Sequence, residues 1–429
     1  MQNKKHAWFR RRGYLHFDSP VSFKTAQKLV NSPARVASHS FYPLIHYEIR
    51  SFKVTLNQDN EIEKKWKHRE IKYAAHLDSH IYAYYSWLLS SLYEKEVKRR
   101  GLHKNVLAFR PLGKNNIDFA NDAFEIIKEK GRCSAVGLDI TGFFDNIDHQ
   151  KLKLVWSELI QETPLPKDHY AVFKSLTKYA FVDREELFKK LSISKNNPKC
   201  NRYRACSAKE FREQVRDGGL VKRNENKYGI PQGSPISALL SNIYMLEFDS
   251  TMKQLIEPSG GHYFRYCDDM LFIVKQSLRD DIEASAIEEI EKLQLEINTK
   301  KTERRDFYRY GGQLRCKGHK SLQYLGFTFD GERKLIRSAA LAKFSNRMKA
   351  GVRLAKKTVK RKNLESLLEG KPQTEVLRKK KIYERYSHLG RRNFLKYGYR
   401  AARVMGSKSI KKQLKPLWSR LHNEIEKHT

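Results

Sequence analysis

Residues 134–149 read SAVGLDITGFFDNIDH, and residues 262–274 read HYFRYCDDMLFIV. In the first stretch an apolar run from Cys133 to Ile140, bounded by Gly131 and Gly142, has the length of a strand. Asp139 sits near its end. A carboxylate buried there without a partner would cost several kcal/mol, so its presence needs a reason. The second stretch predicts strand, tight turn, strand, with Asp268 and Asp269 side by side in the turn. Adjacent like charges are tolerable in water or around a cation. Mg²⁺ favours a few carboxylates plus substrate phosphates. Two such ions, about 3.5–4 Å apart, activate a hydroxyl and steady a leaving pyrophosphate. Phosphoryl transfer asks a protein mainly for positioning and charge, so three acids from two segments suffice.

Around these stretches the chain alternates element types. Phe41 to Val54 is rich in Tyr, Ile and Val and suggests strands, while the polar run QDNEIEKKWKHR at 58–69 suits an exposed turn or loop. Ile71 to Val97 carries Tyr and Leu at helical spacing. Asn116 to Lys130 puts Ile117, Phe119 or Ala120, Phe124 and Ile127 on one helical face. Asp148 is placed to cap a helix over 149–160, and Ser234 to cap one from Pro235 to about Leu255. Residues 163–228 read as an irregular, basic, elaborated lobe. A charged helix follows at 280–295, then short strands at 322–329 and 334–338. The pattern predicts an α+β core with a separate helical lobe at the C-terminal end.

Composition narrows the partners. The 429 residues carry 85 Lys and Arg against 48 Asp and Glu, a formal net charge of +37. From Arg333 to Thr429 there are 29 Lys and Arg against 6 Glu, which places +23 of the total in under a quarter of the chain. A polyanion explains such a field best. With 22 Phe, 22 Tyr and a 40% hydrophobic fraction, a largely disordered basic protein is excluded. No run of about 18 apolar residues appears, which argues against a membrane span; an anionic membrane surface could also use the charge, but the remaining sequence argues otherwise and no membrane partner is expected. The opening MQNKKHAWFRRRGYLHF lacks an apolar signal region. The five scattered cysteines read as reduced thiols, and neither Cys200 with Cys206 nor Cys316 with His319 completes a zinc pattern. A cytoplasmic location is the expectation.

LDITGFFDNIDH at 138–149, GIPQGSP at 229–235, YCDD at 266–269, INTKKTE at 297–303 and LQYLGF at 322–327 follow one another in the order of the reverse transcriptase motifs. The chain resembles that family from roughly residue 65 to 330. The resemblance implies a right-hand fold of fingers, palm and thumb. Its parts would be a basic N-terminal extension at 1–40, fingers and palm at 41–332 with the basic insertion 163–228, and a helical basic thumb at 333–429. It implies that Asp139, Asp268 and Asp269 hold two Mg²⁺ ions, with Mn²⁺ as a substitute and the carbonyl of Ile140 as a further ligand. Phe144 matches the steric gate that selects deoxynucleotides. Gln232 and Gly233 match residues lying against the incoming nucleotide. Lys301, with Lys300 as its competitor, matches a proton donor to pyrophosphate. Arg69 resembles the fingers arginine that pairs with the triphosphate, as a guanidinium fork suits phosphate; Lys65 and Lys67 are weaker candidates. Arg110 and Lys114, in AFRPLGKNNIDFANDAF at 108–124, are placed to touch template phosphates. Tyr324, Leu325 and Gly326 match the primer-grip turn. Arg378, Lys379, Lys380, Lys411 and Lys412 are the thumb cations assigned to nucleic acid. Tyr383, Tyr386, Phe394, Tyr397 and Tyr399, interleaved among the thumb charges, read as helix core rather than as a stacking surface, and Cys267 as a small filler.

Neither an RNase H pattern nor a His-Asn-His cluster is found, and the Asn-Ala-x-x-His and Val-Thr-Gly signatures expected of a retron enzyme are missing. YAAHLDSHIYAYY at 73–85, GKNNIDFANDAF at 113–124 and GIPQGSPISALLSNIYMLEFD at 229–249 resemble the bacterial defence-associated enzymes, formerly called the unknown group. Within that group the chain looks most like the type 2 class. That likeness implies an adjacent structured noncoding RNA as template, dNTPs as substrates, concatemeric cDNA as product and antiphage protection as outcome. A template-independent or protein-primed DNA polymerase of abortive-infection type, a retron-like enzyme and a non-enzymatic RNA-binding scaffold are the rival readings. Oligomeric state is left open.

Overall fold

The structure is a computed structural model that describes residues 7–56, 61–200 and 202–427, and within these no side chains for 53–56, 62 and 65. Its centre is a five-stranded antiparallel sheet in the spatial order His262–Tyr266, Asp269–Val274, Cys133–Asp139, Glu303–Tyr310, Gln313–Cys316. The Cys133–Asp139 strand lies in the middle, paired on both sides, and is buried on both faces as its unbroken apolar sequence requires. Alternate side chains feed two cores. Val136, Leu138 and Phe272 join one cluster with the helices Ser237–Tyr244 and Leu246–Ile256. Ala135, Leu271 and Phe307 join another with the helix Asn116–Lys130 and the C-terminal helices.

Asn116–Lys130 forms as its periodicity predicts, with Ile117, Phe119, Ala120, Phe124 and Ile127 buried and Asn115 with Asp118 making a capping box. Asp148 caps His149–Ile160 by accepting from the Lys151 N–H at 2.8 Å. Ser234 caps nothing. The helix there starts at Ser237 and breaks at Met245, and the Ser234 hydroxyl is buried without a partner.

Two expectations fail between residues 58 and 97. The polar run at 58–69 is no loop as far as it is described. Ile62–Tyr73 is a strand paired antiparallel with Leu44–Leu56 over twelve residue pairs, from Ile45 opposite Tyr73 to Leu56 opposite Ile62. Consequently Ile71–Tyr73 belongs to that strand, and the helix begins only at His76. The hairpin is continued by Ala180–Asp183, parallel to Leu44–His46, and by Lys222–Arg223. The 163–228 insertion therefore contributes strands to this four-stranded sheet, along with the helices Lys167–Thr177 and Arg184–Lys190.

The N-terminal lead-in is also no appendage where it is described. Leu15 and Phe17 are buried with Val182, Leu187, Phe188 and Val215 of the insertion. Trp8, Ala26 and Val36 enter the main core. Asp18 accepts from the His76 and Leu77 N–H groups at 2.8 Å each, capping a helix whose own N-cap, Ala75, has no side chain to do so. Such a cap is worth about 1 kcal/mol.

At the other end, Leu322–Tyr324, Phe327–Phe329 and Lys334–Ile336 form a three-stranded sheet. The long helix Ser338–Leu368 and four shorter helices follow. Tyr386 is buried there, and Tyr383, Phe394 and Tyr397 pack against the same core, so these rings are packing groups; Tyr399 is partly exposed. The whole is an α+β fold.

Candidate active site

The Cys133–Asp139 strand runs antiparallel to Asp269–Val274 in a register that sets Asp139 directly opposite Asp269. Cross-strand partners stand about 4.5–5.5 Å apart at Cβ. Asp268 occupies the turn that leads into that strand, and all three carboxylates line one open cavity of about 780 Å³. The crowding shows in Asp269. Burial, then the charges of Asp268 and Asp139, push its carboxyl up to about 6, against the opposing pull of Lys301 and Lys67.

Local structure holds this turn rigidly. Cys267 has φ +62°, the left-handed region, where a side chain is strained. Its carbonyl accepts from Arg265 Nη1 at 3.2 Å. Arg265 is fully buried, and its other donors grip Asp249 at 2.7 and 2.5 Å and Asn242 at 3.1 Å. Tyr263 donates to the same Asp249 at 2.6 Å. Sequence reasoning missed this network. Arg265 and Asp249 were visible as residues, but only the fold shows that a helix and a strand bring them together. The Cys267 thiol is buried and pushed up to about 12, so it is no thiolate nucleophile.

Lys301 is delivered by the segment after the charged helix Arg279–Lys292. The Thr141 N–H donates to the Glu296 carbonyl at 2.8 Å, and the Asn298 N–H to the Asp139 carbonyl at 2.7 Å. These two bonds stitch 296–298 to the end of the Cys133–Asp139 strand, beside the isolated bridge between Ile140 and Ile297. The Lys301 ammonium then donates to Asp139 Oδ2. Lys300 lines the same cavity.

The far wall is the fingers hairpin. Lys67 and Arg69 lie on one face of Ile62–Tyr73 and both line the cavity, whereas the Lys65 side chain is outside the described residues. Tyr324, Leu325 and Gly326 close the third side. Leu325 and Gly326 have φ +46° and +91°, and the Leu325 carbonyl accepts from Asn116 at 3.0 Å. The Tyr324 hydroxyl is buried without a partner. Asn116 and Arg337 also line the cavity and were not foreseen.

Other expected residues lie elsewhere. Phe144 is half-buried against the core, outside the cavity lining, and its carbonyl accepts from the Ile230 N–H at 2.8 Å. Gln232 accepts through its carbonyl from the Lys72 N–H at 2.8 Å. At Gly233 (φ +119°) a Cβ would meet the Lys72 carbonyl at 2.9 Å, so the close approach this glycine permits is to the fingers strand. Ile140 is buried. Arg110 is corrected. Its guanidinium is almost fully buried, forks onto Glu94 at 2.9 and 2.8 Å, and donates to the carbonyls of His103 and Val106. It braces the preceding helix, and with four of its five N–H donors engaged and its guanidinium buried it is not presented to a phosphate. Lys114 pairs with Asp122 at 2.7 Å and lines a different cavity. Arg378, Lys379, Lys380, Lys411 and Lys412 are exposed.

Among the described residues, no group of three His, Cys, Asp or Glu side chains stands ready to hold a metal by itself. The donor set nevertheless suits a hard cation. It consists of carboxylate oxygens that repel one another, in a cavity wide enough for a triphosphate to supply the remaining oxygens.

Comparison of the sequence with protein families identifies one family. The sequence profile described as reverse transcriptase (RNA-dependent DNA polymerase) matches residues 88–329, over half of the chain. Curated protein sequences give no match. Among solved structures, apo telomerase from Candida tropicalis truncated from its C-terminal domain aligns at 11% identity with a TM-score of 0.41, covering 73% of this chain and 59% of that one. Telomerase from Candida albicans, in complex with a fragment of telomeric RNA, aligns at 12% identity with a TM-score of 0.39, covering 92% and 66%. The chain thus spans about three fifths to two thirds of the length of these telomerases.

Proposed function

Because this chain belongs to the reverse transcriptase family, we propose that it is an RNA-directed DNA polymerase that copies a structured noncoding RNA into cDNA. The observation that carries the reading is the convergence of Asp139, Asp268 and Asp269 in one cavity walled by Lys67, Arg69, Lys300 and Lys301. Acids on one wall and bases on the other match a triphosphate held by its charges with its α-phosphate over the acids.

The three carboxylates are the ligands for Mg²⁺ or Mn²⁺, with the Ile140 carbonyl as the further ligand that the motif resemblance implies. Bound there, the ions would lower the pKa of the primer 3′-hydroxyl and neutralise charge on the triphosphate. Arg69 and Lys67 grip the triphosphate from the fingers. Lys301, now on Asp139, transfers its contact to the pyrophosphate leaving group, where an ammonium can give up a proton. The turn at Tyr324, Leu325 and Gly326 seats the primer end. Repeated copying of one bound RNA into concatemers, in a bacterial cytoplasm and in antiphage defence, is the biological setting that the motif resemblance favours.

The test is primer extension on the co-purifying RNA by the wild type and by Asp268→Ala plus Asp269→Ala. We expect the variant to lose at least ~10³-fold in incorporation, about 4 kcal/mol of barrier, with RNA affinity largely kept. Unchanged incorporation would overturn the enzymatic reading. Homopolymeric or random product would overturn the templated one.

A further inference from the structure

Leu322–Tyr324 and Phe327–Phe329 are joined by a two-residue turn, Leu325 and Gly326, with Tyr324 opposite Phe327. Both turn residues have positive φ, +46° and +91°, as a type I′ hairpin turn requires. Glycine takes that conformation freely, but a leucine is strained in it. Such strain persists only where the surroundings over-determine it. The carbonyls of Leu325 and Gly326 also lie outside the strand pairing, so each needs a partner from elsewhere. The Gly326 carbonyl accepts at 3.1 Å from the N–H of Arg337, the residue before the long helix Ser338–Leu368. The Leu325 carbonyl accepts at 3.0 Å from the side-chain amide of Asn116.

Asn116 is the first residue of the helix Asn116–Lys130, whose start is fixed by the capping box of Asn115 and Asp118. Its amide therefore stands on a rigid support. A carbonyl only accepts, so it is the amide nitrogen of Asn116 that faces Leu325. The same nitrogen donates to the Tyr397 hydroxyl at 2.8 Å. Tyr397 belongs to the thumb helix Phe394–Val404 and stacks on Phe327, the residue after the turn, with ring centroids 6.2 Å apart. About one helical turn further on, Arg400 reaches Asp118 at 3.8 Å. One side chain thus engages the turn with one N–H and the thumb with the other. Asn116, Leu325 and Gly326 all line the cavity that holds the three carboxylates.

We propose that Asn116 is a positioning residue for the primer strand, holding the strained turn in place and tying it to the thumb through Tyr397. The inference rests on the polymerase reading, with the turn beneath the primer end, and adds the part that fixes the turn. Asn116 acts through the Leu325 carbonyl. Its loss should loosen the hold on the primer and spare the nucleotide contacts at Lys67 and Arg69 on the far wall. Alanine at 116 still starts the helix but leaves the Leu325 carbonyl without its donor.

The experiment uses the full-length protein on a DNA primer annealed to an RNA template. Excess unlabelled primer–template acts as a trap, so that nucleotides added per binding event are counted. Asn116→Ala should cut that number about tenfold and raise KM for primer–template, with KM for the nucleotide unchanged. Tyr397→Phe keeps the ring on Phe327, removes only the hydroxyl, and should cut the number about threefold. The double variant should be no worse than Asn116→Ala, because the hydroxyl acts through the amide. Wild-type extension by either single variant overturns the proposal. So does a double variant whose loss is the product of the two single losses, since the two groups would then act separately. An equal rise of both KM values in Asn116→Ala also overturns it, because Asn116 would then be a general support of the cavity. Should Asn116→Ala not fold, Tyr397→Phe against the wild type decides alone. Failure of the wild type to extend any primer sinks the polymerase reading instead, and the two failures are thereby told apart.

Discussion

Arg265 stands immediately before the catalytic turn and never reaches the cavity. It is fully buried, satisfies Asp249, and spends a donor on the Cys267 carbonyl, the one backbone group that its left-handed neighbour turns inward. Replacing it with Leu strands the Asp249 charge and should cost about 3–5 kcal/mol of stability. The informative variant is Arg265→Leu with Asp249→Leu. Without either charge the pair should recover most of its melting temperature, because apolar replacements of buried ion pairs are often neutral or better. Its kcat should stay down about tenfold, because the Cys267 carbonyl is still unheld. Full recovery of kcat would reduce Arg265 to a packing residue. At this scale the sequence was readable where chemistry is compressed into a few adjacent residues, as in Asp268 and Asp269. It was misread where a partner is remote. Arg110 looked like a phosphate ligand because 108–124 resembles a family motif, while its partner Glu94 lies in the preceding helix.

Among elements, the fingers hairpin was the least legible. A strand announces itself by apolar alternation, which reflects one buried face. The Ile62–Tyr73 strand turns Lys67 and Arg69 to a ligand cavity and leaves Trp66 and His68 exposed, so neither face of its outer half is greasy. The helix Asn116–Lys130 is the opposite case, since one face is wholly buried and its period gave its bounds. The placing of Arg69 on the cavity face makes a prediction of its own. Arg69→Ala should raise KM for the nucleotide by ~10- to 100-fold, the value of a charge-assisted contact of about 1.5–3 kcal/mol. Arg69→Lys should recover only part of this, because an ammonium cannot fork. A KM that does not move in steady-state extension assays would place the triphosphate elsewhere.

For the molecule as a whole, charge and protonation govern behaviour. Replacing Arg378, Lys379 and Lys380 with Ala should lower the slope of log Kd for RNA against log salt by about 2–3, if all three meet phosphates. A slope equal to the wild type's would remove that segment from the interface. Acid should weaken the fold through His16. Its Nδ1 accepts from the Phe17 N–H at 2.8 Å, its Nε2 faces the Tyr73 carbonyl at 3.3 Å, and burial pushes it down to about 3. Unfolded, it takes up a proton near 6.5. Between those values the unfolded chain binds more protons, so stability is complete above about 6.5 and falls as pH drops. At pH 5 this one ring accounts for about 2 kcal/mol. Denaturant midpoints at pH 7 and pH 5 should therefore separate less for His16→Gln than for the wild type, and identical separations would contradict the assignment.

The threading of the N-terminal segment also sets a timetable for synthesis. Leu44 must wait for Phe181 before its strand gains a second neighbour, and Leu15 and Phe17 must wait for Val182, Phe188 and Val215 before they leave water. A nascent chain emerging from the ribosome therefore carries its first hundred residues with greasy side chains uncovered until the insertion has been translated, a span during which aggregation competes with closure. Slow codons before residue 215 would burden this protein far more than the same delay placed after residue 333, and a chaperone holding the N-terminal segment over that span would relieve it.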